Sequence, residues 1–210
     1  MQMTQAISHR AFVPGTTGWT IDDVRDPQIL AQWSDGRYEL VEGVLTTMPP
    51  QGLHTVRPLD RLRRLIERHL DTTGQSSECL TEVDVQLRSN RIVRPDMLLL
   101  TSAQLIRQQQ LEDEQQLAEE DYCPIFVSPT LIVESVSPGH EEHDRVTKRA
   151  WYAEAGVPHY WLLTAHERSL ICLELKKGGY IEAAAGQDDQ TIVAPACGGI
   201  TVALATLWAK

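Results

Sequence analysis

The sequence predicts an α/β fold, a mixed β-sheet flanked by helices with an extra hairpin at the N-terminal side. Two patterns carry most of that expectation. Apolar residues recur at helical spacing over about 56–70, and a strictly alternating run follows at 82–88. The remaining patterns then arrive in the order strand, strand, helix, strand, which places helices on the faces of a sheet rather than in a separate bundle. At 210 residues, 42% of them hydrophobic and 23% charged, the chain has the length and composition of one globular domain.

Residues 1–19 are polar, rich in Gly and Thr and without periodicity, and read as a flexible N-terminal arm ahead of a single domain over 20–210. Thr20 before Ile21, Asp22 and Asp23 has the form of a helix cap with acidic first-turn residues, opening a short helix that reaches about Trp33. Ser34-Asp35-Gly36 ends it, and residues 37–48 form the extra hairpin, turning near Glu42-Gly43. Val56, Leu59, Leu62, Leu65, Ile66 and Leu70 mark the first long helix, with Pro58 expected in its first turn. Its other face carries Arg57, Arg61, Arg63, Arg64 and Arg68, either a solvated surface or a phosphate-facing one.

Val83, Val85 and Leu87 alternate with Glu82, Asp84, Gln86 and Arg88, which predicts a half-exposed strand. Across the turn Ser89-Asn90 its partner runs over 91–100 and ends in apolar residues on both faces, as a strand entering a core does. Residues 102–121 are Gln-rich and acidic and read as a surface helical or mobile insertion. A short apolar strand over 129–136 is stopped by Ser137-Pro138-Gly139, and a helix from about Glu141 to Ala155 ends at Gly156. Strands follow at 159–163 and 169–175, and 200–208 forms a last strand or a short helix.

No apolar run approaches the roughly 18 residues that cross a bilayer, and the opening residues lack the apolar core of a signal peptide, so a cytoplasmic location without membrane contact is expected. Cys79, Cys123, Cys172 and Cys197 are scattered, without a C-x-x-C pair for zinc or redox chemistry. A net charge of −10 opposes long-range attraction to nucleic acid, unless a local basic surface or a bound cation offsets it. Glycine-rich phosphate loops and a G-x-S-x-G elbow are absent.

Two carboxylates stand where a charge is costly. Asp96 follows a proline and precedes Met97-Leu98-Leu99-Leu100, while Glu134 interrupts Leu131-Ile132-Val133. A buried charge needs a partner, and a cation is one. Alternation puts Asp96 on the face of Ile92, Arg94 and Leu98, and Glu134 on that of Ile132 and Val136, so the two converge if their strands are neighbours. On the following helix Asp144, Lys148, Trp151 and Ala155 share one face, from which Lys148 can reach back over the sheet.

Tyr38-Glu39-Leu40-Val41-Glu42-Gly43, Arg94-Pro95-Asp96, the run 131–138, and Lys148, Tyr152 and Gly156-Val157-Pro158-His159-Tyr160-Trp161 together resemble the Uma family, classed as restriction endonucleases, within the PD-D/E-x-K nuclease superfamily. The resemblance spans about 20–175 and implies a restriction-endonuclease-like fold, a Mg2+ (or Mn2+) cofactor and hydrolysis of DNA phosphodiester bonds, often by a homodimer. It assigns Asp96, Glu134 and Lys148 to catalysis, with Asp96, Glu134 and Glu39 as metal ligands. The usual motif carries its lysine two positions after the acid; that position is Val136 here, and the resemblance supplies Lys148 instead. His54 matches a family histidine.

Each residue also has a structural reading. Asp96 can pair with Arg94 or Arg91, Glu134 with an arginine, and Lys148 with Asp144 one turn away; Glu39 can be a surface strand residue, and His54 a cap or packing residue. His140 and His143, without a third ligand at zinc-like spacing, are expected to be solvated. The competing function is a weak or inactive nuclease-fold protein acting as a binding or assembly module, which the acidic net charge and displaced lysine favour.

Overall fold

The computed structural model describes residues 11–118, 121–139 and 141–209. The chain opens with α1 (Ile21–Val24), held by a capping box in which Thr20 N–H donates to Asp23 Oδ2 at 2.8 Å, and α2 (Pro27–Asp35), capped by Asp26. The hairpin of β1 (Tyr38–Val41) and β2 (Val44–Thr47) turns at Glu42 and Gly43, both at positive φ, as the expected two-residue turn requires. A Cβ on Gly43 would stand 3.2 Å from the Trp19 carbonyl, so the turn also needs the missing side chain.

The arm expected over 1–19 lies outside the described residues up to position 10, and 11–19 differ from that expectation. Trp19 is buried, Phe12 packs edge-on against it and against Tyr38, and Gly15 and Trp19 donate backbone hydrogen bonds to Leu45 and Gly43. Two large aromatics in an otherwise polar stretch are enough to seat it on the hairpin.

Helix α3 (Leu53–Thr73) buries Leu59, Leu62, Ile66 and Leu70, and ends at Gly74 in the left-handed conformation. It begins earlier than the apolar repeat, so Pro58 falls in the second turn rather than the first. Strand β3 (Ser77–Leu80), which no pattern announced, pairs with the later β6. Strands β4 (Val85–Arg88) and β5 (Arg91–Val93) form the expected antiparallel pair.

The run 91–100 is nevertheless not one strand. It breaks at Arg94-Pro95-Asp96, because Pro95 has no N–H for a ladder, and resumes as β6 (Met97–Thr101) in a different sheet. After α4 (Ser102–Glu114), the ordered core of the Gln-rich segment, come β7 (Leu131–Ser135), a π-helical stretch (His143–Lys148) and α5 (Arg149–Glu154). The C-terminal third adds β8 (His159–Thr164), β9 (Ser169–Lys176), β10 (Gly179–Gln187), β11 (Thr191–Ala194) and β12 (Ile200–Ala203), and the tail proves to be both strand and short helix, the latter over Leu204–Thr206.

Three sheets result: a four-stranded one ordered β2-β1-β5-β4, a six-stranded one ordered β10-β9-β8-β7-β6-β3, and the β11-β12 ribbon. Among the described strands β7 and β8 pair in parallel, joined through the π-helical stretch and α5, and the other strand pairings are antiparallel, with one isolated parallel bridge between Val85 and Ile125. Alternation sorts the six-stranded sheet into two cores. Leu99, Leu131, Val133 and Trp161 pack with α3, and Leu98, Leu100, Ile132 and Tyr160 pack with Trp151 and Tyr152. The chain passes from one sheet to the other at Pro95, and the candidate site forms there. Among the described residues no helix is long and apolar enough to cross a membrane.

Candidate active site

In the β6–β7 ladder Met97 pairs with Val133 and Leu98 with Ile132, and one further step of that register sets Asp96 against Glu134. Both carboxylates are buried, at 4% and 3% exposure. Asp96 Oδ2 accepts the Ser135 backbone N–H at 2.6 Å, and its Oδ1 accepts the Gln51 side-chain amide. The condition under which the two acids converge, that their strands be neighbours, is met.

Glu39 enters from the other sheet. Its neighbour Leu40 packs inward with Trp19, Trp33 and Ile92, so alternation turns Glu39 to the opposite face, where it is 3% exposed. Lys148 bridges the two sheets: its Nζ lies 2.9 Å from Glu39 Oε1 and 3.1 Å from Glu134 Oε1. The expected helix face is the one that turns inward, burying Asp144, Lys148, Trp151 and Tyr152, while Val146 is exposed. What periodicity did not reveal is the π-helical winding of the segment that carries Asp144 and Lys148.

Around this bridge Tyr152 donates to Glu134 Oε1 at 2.7 Å, and Arg94 donates its backbone N–H to Glu39 Oε1 at 3.3 Å. His143 Nε2 stands 3.8 Å from Glu39 Oε2 and packs edge-on against Trp151, so it belongs to the site and not to a solvated turn. His140 lies outside the described residues. A cavity of about 290 Å³ opens beside the cluster, lined among others by Glu39, Asp96, Glu134, His143, Asp144 and Lys148.

Two glutamates thus contact one buried ammonium, with the Asp96 and Asp144 carboxyls lining the same cavity. Burial and the Glu134 charge push the Asp96 carboxyl up to about 8, and burial with the same neighbour lifts Asp144 to about 7. Glu134 is raised by burial against the pull of Lys148. Glu39 goes the other way: burial alone would raise it, but Lys148, His143 and the Arg94 N–H together hold it down at about 2. The two glutamates share the lysine, and Glu39 has in addition the Arg94 backbone N–H and the nearby His143 ring, which is why burial raises Glu134 while Glu39 is lowered. Burial would favour a neutral Lys148, yet Glu134, Glu39 and Asp144 hold it protonated well above the ordinary lysine value.

Several carboxyls are thus held protonated for want of a second positive charge, and a cation is one group that could supply it. Among the described residues no three His, Cys, Asp or Glu side chains are gathered as a ready metal cage. The carboxylates that line the cavity, Asp96, Glu134, Glu39 and Asp144, are oxygen donors of the kind that a hard cation takes together with water.

A family profile described as Uma2, "Putative restriction endonuclease", matches residues 27–205. The chain belongs to the Uma2 family. A crystal structure described as "a putative nuclease belonging to DUF820", from Anabaena variabilis ATCC 29413, matches with a TM-score of 0.64 at 13% identity, covering 91% of this chain and 98% of that one; the likeness is one of fold. No curated protein sequence matches. The Uma2 chain thus has the restriction-endonuclease-like α/β fold expected of it, in a family whose profile is described as "Putative restriction endonuclease".

In this Uma2 chain the residues assigned from the motifs, Glu39, Asp96, Glu134 and Lys148, all line one cavity. Asp144, expected only as a surface partner for Lys148, is buried there too, and its carboxylate has no hydrogen-bond partner among the described residues. Its place one turn before Lys148 on the inward face was the available signal. Gln51, in a loop without periodicity, had none. His54 is exposed on the rim of a different cavity, neither a packing residue nor part of this cluster.

Proposed function

We propose that the chain hydrolyses phosphodiester bonds in DNA with the help of Mg2+ or Mn2+ held by Asp96 and Glu134. The observation that supports this reading is that two buried carboxylates come together, Asp96 at the entrance to β6 and bonded to Ser135 N–H, and Glu134 on the neighbouring β7, with Lys148 Nζ 3.1 Å from Glu134. The cation, when bound, supplies positive charge to the phosphate oxygens and acidifies water.

The chain's own residues do the rest. Lys148, kept protonated by its acidic neighbours, acts as a fixed cation: it stabilises charge gathering on the phosphate and does not take a proton from water. Glu39 holds Lys148 in place, a role that competes with the metal-ligand role expected for it. Asp144, facing the cavity without a hydrogen-bond partner among the described residues, is the group free to accept the water's proton. Gln51 and the Ser135 N–H fix the Asp96 carboxyl.

The test is cleavage of labelled DNA by the chain with Mg2+ or Mn2+, beside Glu134→Gln and Lys148→Ala. Metal-dependent cutting that falls at least about 100-fold in both variants is expected. Equal cutting by Glu134→Gln, or none by the parent on any DNA, sinks the reading; the latter outcome favours a binding module on a nuclease fold.

A further inference from the structure

A second cavity, of about 820 Å³, adjoins the first along two segments. Gln51 lines the catalytic cavity and Leu53 the second; Ser137 lines the first, while Val136 and Pro138 line the second. Its other walls are the start of α3, the turn between β8 and β9, and the C-terminal residues Leu207–Ala209. In a chain of net charge −10 this cavity is lined by Arg57, Arg61, Arg168, His54 and His166, and by no carboxylate among the described residues.

The positive charge there is largely uncommitted. Among the described residues no carboxylate is within ion-pair distance of Arg57 or Arg61; Arg61 donates instead to the backbone carbonyls of Leu207, at 2.9 Å, and Ala209, which fixes the C-terminal wall without neutralising the guanidinium. Arg168 pairs with Asp188 at 3.1 Å, but both side chains are more than half exposed, and such pairs are readily exchanged. Glu167, the nearest acid in sequence, pairs with Arg145 at 3.0 Å and lies 3.8 Å from His166 Nε2, which leaves, among the described residues, the guanidinium groups of Arg57 and Arg61 as the uncommitted charges. Trp208 adds an aromatic wall, and its indole N–H has no partner in the described structure.

We infer that this cavity receives the unpaired nucleic-acid strand next to the bond being cut, its phosphates at Arg57, Arg61 and Arg168 and a base against Trp208. The inference rests on the nuclease reading for its direction, since the catalytic cavity is its neighbour. Guanidinium groups beside an aromatic wall form the arrangement that holds single strands, with stacking tolerant of sequence. The volume is that of a pocket for a drug-sized ligand, one or two nucleotides, and too small for a duplex. The local charge also resolves the conflict between an acidic chain and a polyanionic substrate.

The test is fluorescence anisotropy of a short labelled single-stranded oligodeoxynucleotide in EDTA, where nothing is cut, with the matching duplex and a mononucleotide as competitors. Arg57→Gln combined with Arg168→Gln is expected to weaken strand binding at least tenfold and to lower the salt slope by about 1.4, at about 0.7 per lost phosphate contact. Arg64→Gln, on the same helix but paired with Asp60 outside the cavity, serves as the control and is expected to bind like the parent. Unchanged binding by the double variant, an equal loss in Arg64→Gln, or tighter binding of duplex or mononucleotide than of the strand overturns the inference. A strand that binds in this way but is not cut when Mg2+ is added contradicts the nuclease reading alone.

Discussion

Asp96, the residue before β6, is tied to the backbone N–H of Ser135, the residue after Glu134, at 2.6 Å, and continuing the β6–β7 register by one step sets it opposite Glu134. The two acids are therefore set by the sheet itself. Glu134 is held by the β7 register, and Asp96 by its hydrogen bonds from Ser135 and Gln51 at the entrance to β6.

Metal binding is expected to release protons at pH 7. Burial and Glu134 hold Asp96 protonated up to about 8, so a cation that needs its carboxylate must displace that proton, and affinity rises with pH through this range. Calorimetric titration with Mn2+ in two buffers of different ionisation enthalpy reads the proton count. Binding without proton release contradicts the assignment of Asp96.

The stability of the metal-free chain should fall on the alkaline side. Asp96 and Asp144 have folded values, about 8 and about 7, above their ordinary 3.8, so their contribution is present at low pH and is lost as pH rises through 7 to 8. Glu39, lowered to about 2, contributes above 4.5 and is lost only as pH falls towards 2. The melting temperature without metal is thus expected to drop as pH rises from about 5 to 8 and to level off above, and saturating Mg2+ to restore much of it; a flat profile argues against this charge balance.

Asp96→Asn imitates the protonated acid. It is expected to leave stability at pH 7 within about 1 kcal/mol of the parent while abolishing calorimetric metal binding. A large loss of stability with metal binding retained would assign Asp96 a structural role only.

Lys148→Met leaves Glu134 and Glu39 buried without their cation. A loss of about 3–5 kcal/mol in urea denaturation at pH 7 is expected, the usual result of removing one partner of a buried pair. The loss should shrink at pH 5, because Glu134, already raised, can take up a proton instead.

How legible the site was in the sequence follows from these same side chains. Asp96 and Glu134 stood out because a charge among Leu, Ile and Val needs a reason, and Lys148 because the family pattern reaches that helix. Alternation correctly set Glu134 with Ile132 and Asp96 with Leu98, but not Asp96 with Ile92, which lies in the other sheet's core because the run breaks at Pro95. The pattern failed where one tertiary contact outweighs local periodicity. Asp84 reads as an outward strand residue but is buried, accepting from Trp33 Nε1, Tyr122 OH and both Arg94 Nε and Nη2 at 2.6–3.1 Å. Its partners lie 10 to 51 positions away, and no local pattern reports them. The break at Pro95 and the strands β3, β10 and β11 were likewise missed, the strands because their apolar residues are short runs or alanines.

Asp84→Ala is accordingly expected to destabilise by about 3–5 kcal/mol, since it strands the mostly buried Arg94 guanidinium. Arg94 also donates its backbone N–H to Glu39, so the variant should weaken metal-dependent cutting as well as lower the melting temperature. A stable Asp84→Ala protein contradicts the view that this network sets the chain where it crosses between sheets.

The most direct test of the central claim is anomalous diffraction from crystals grown with Mn2+. A single strong peak between the Asp96 and Glu134 carboxylates is the expected result. A peak elsewhere, or none while Asp96 and Glu134 keep their present positions, contradicts a cation-dependent site at this place in the fold.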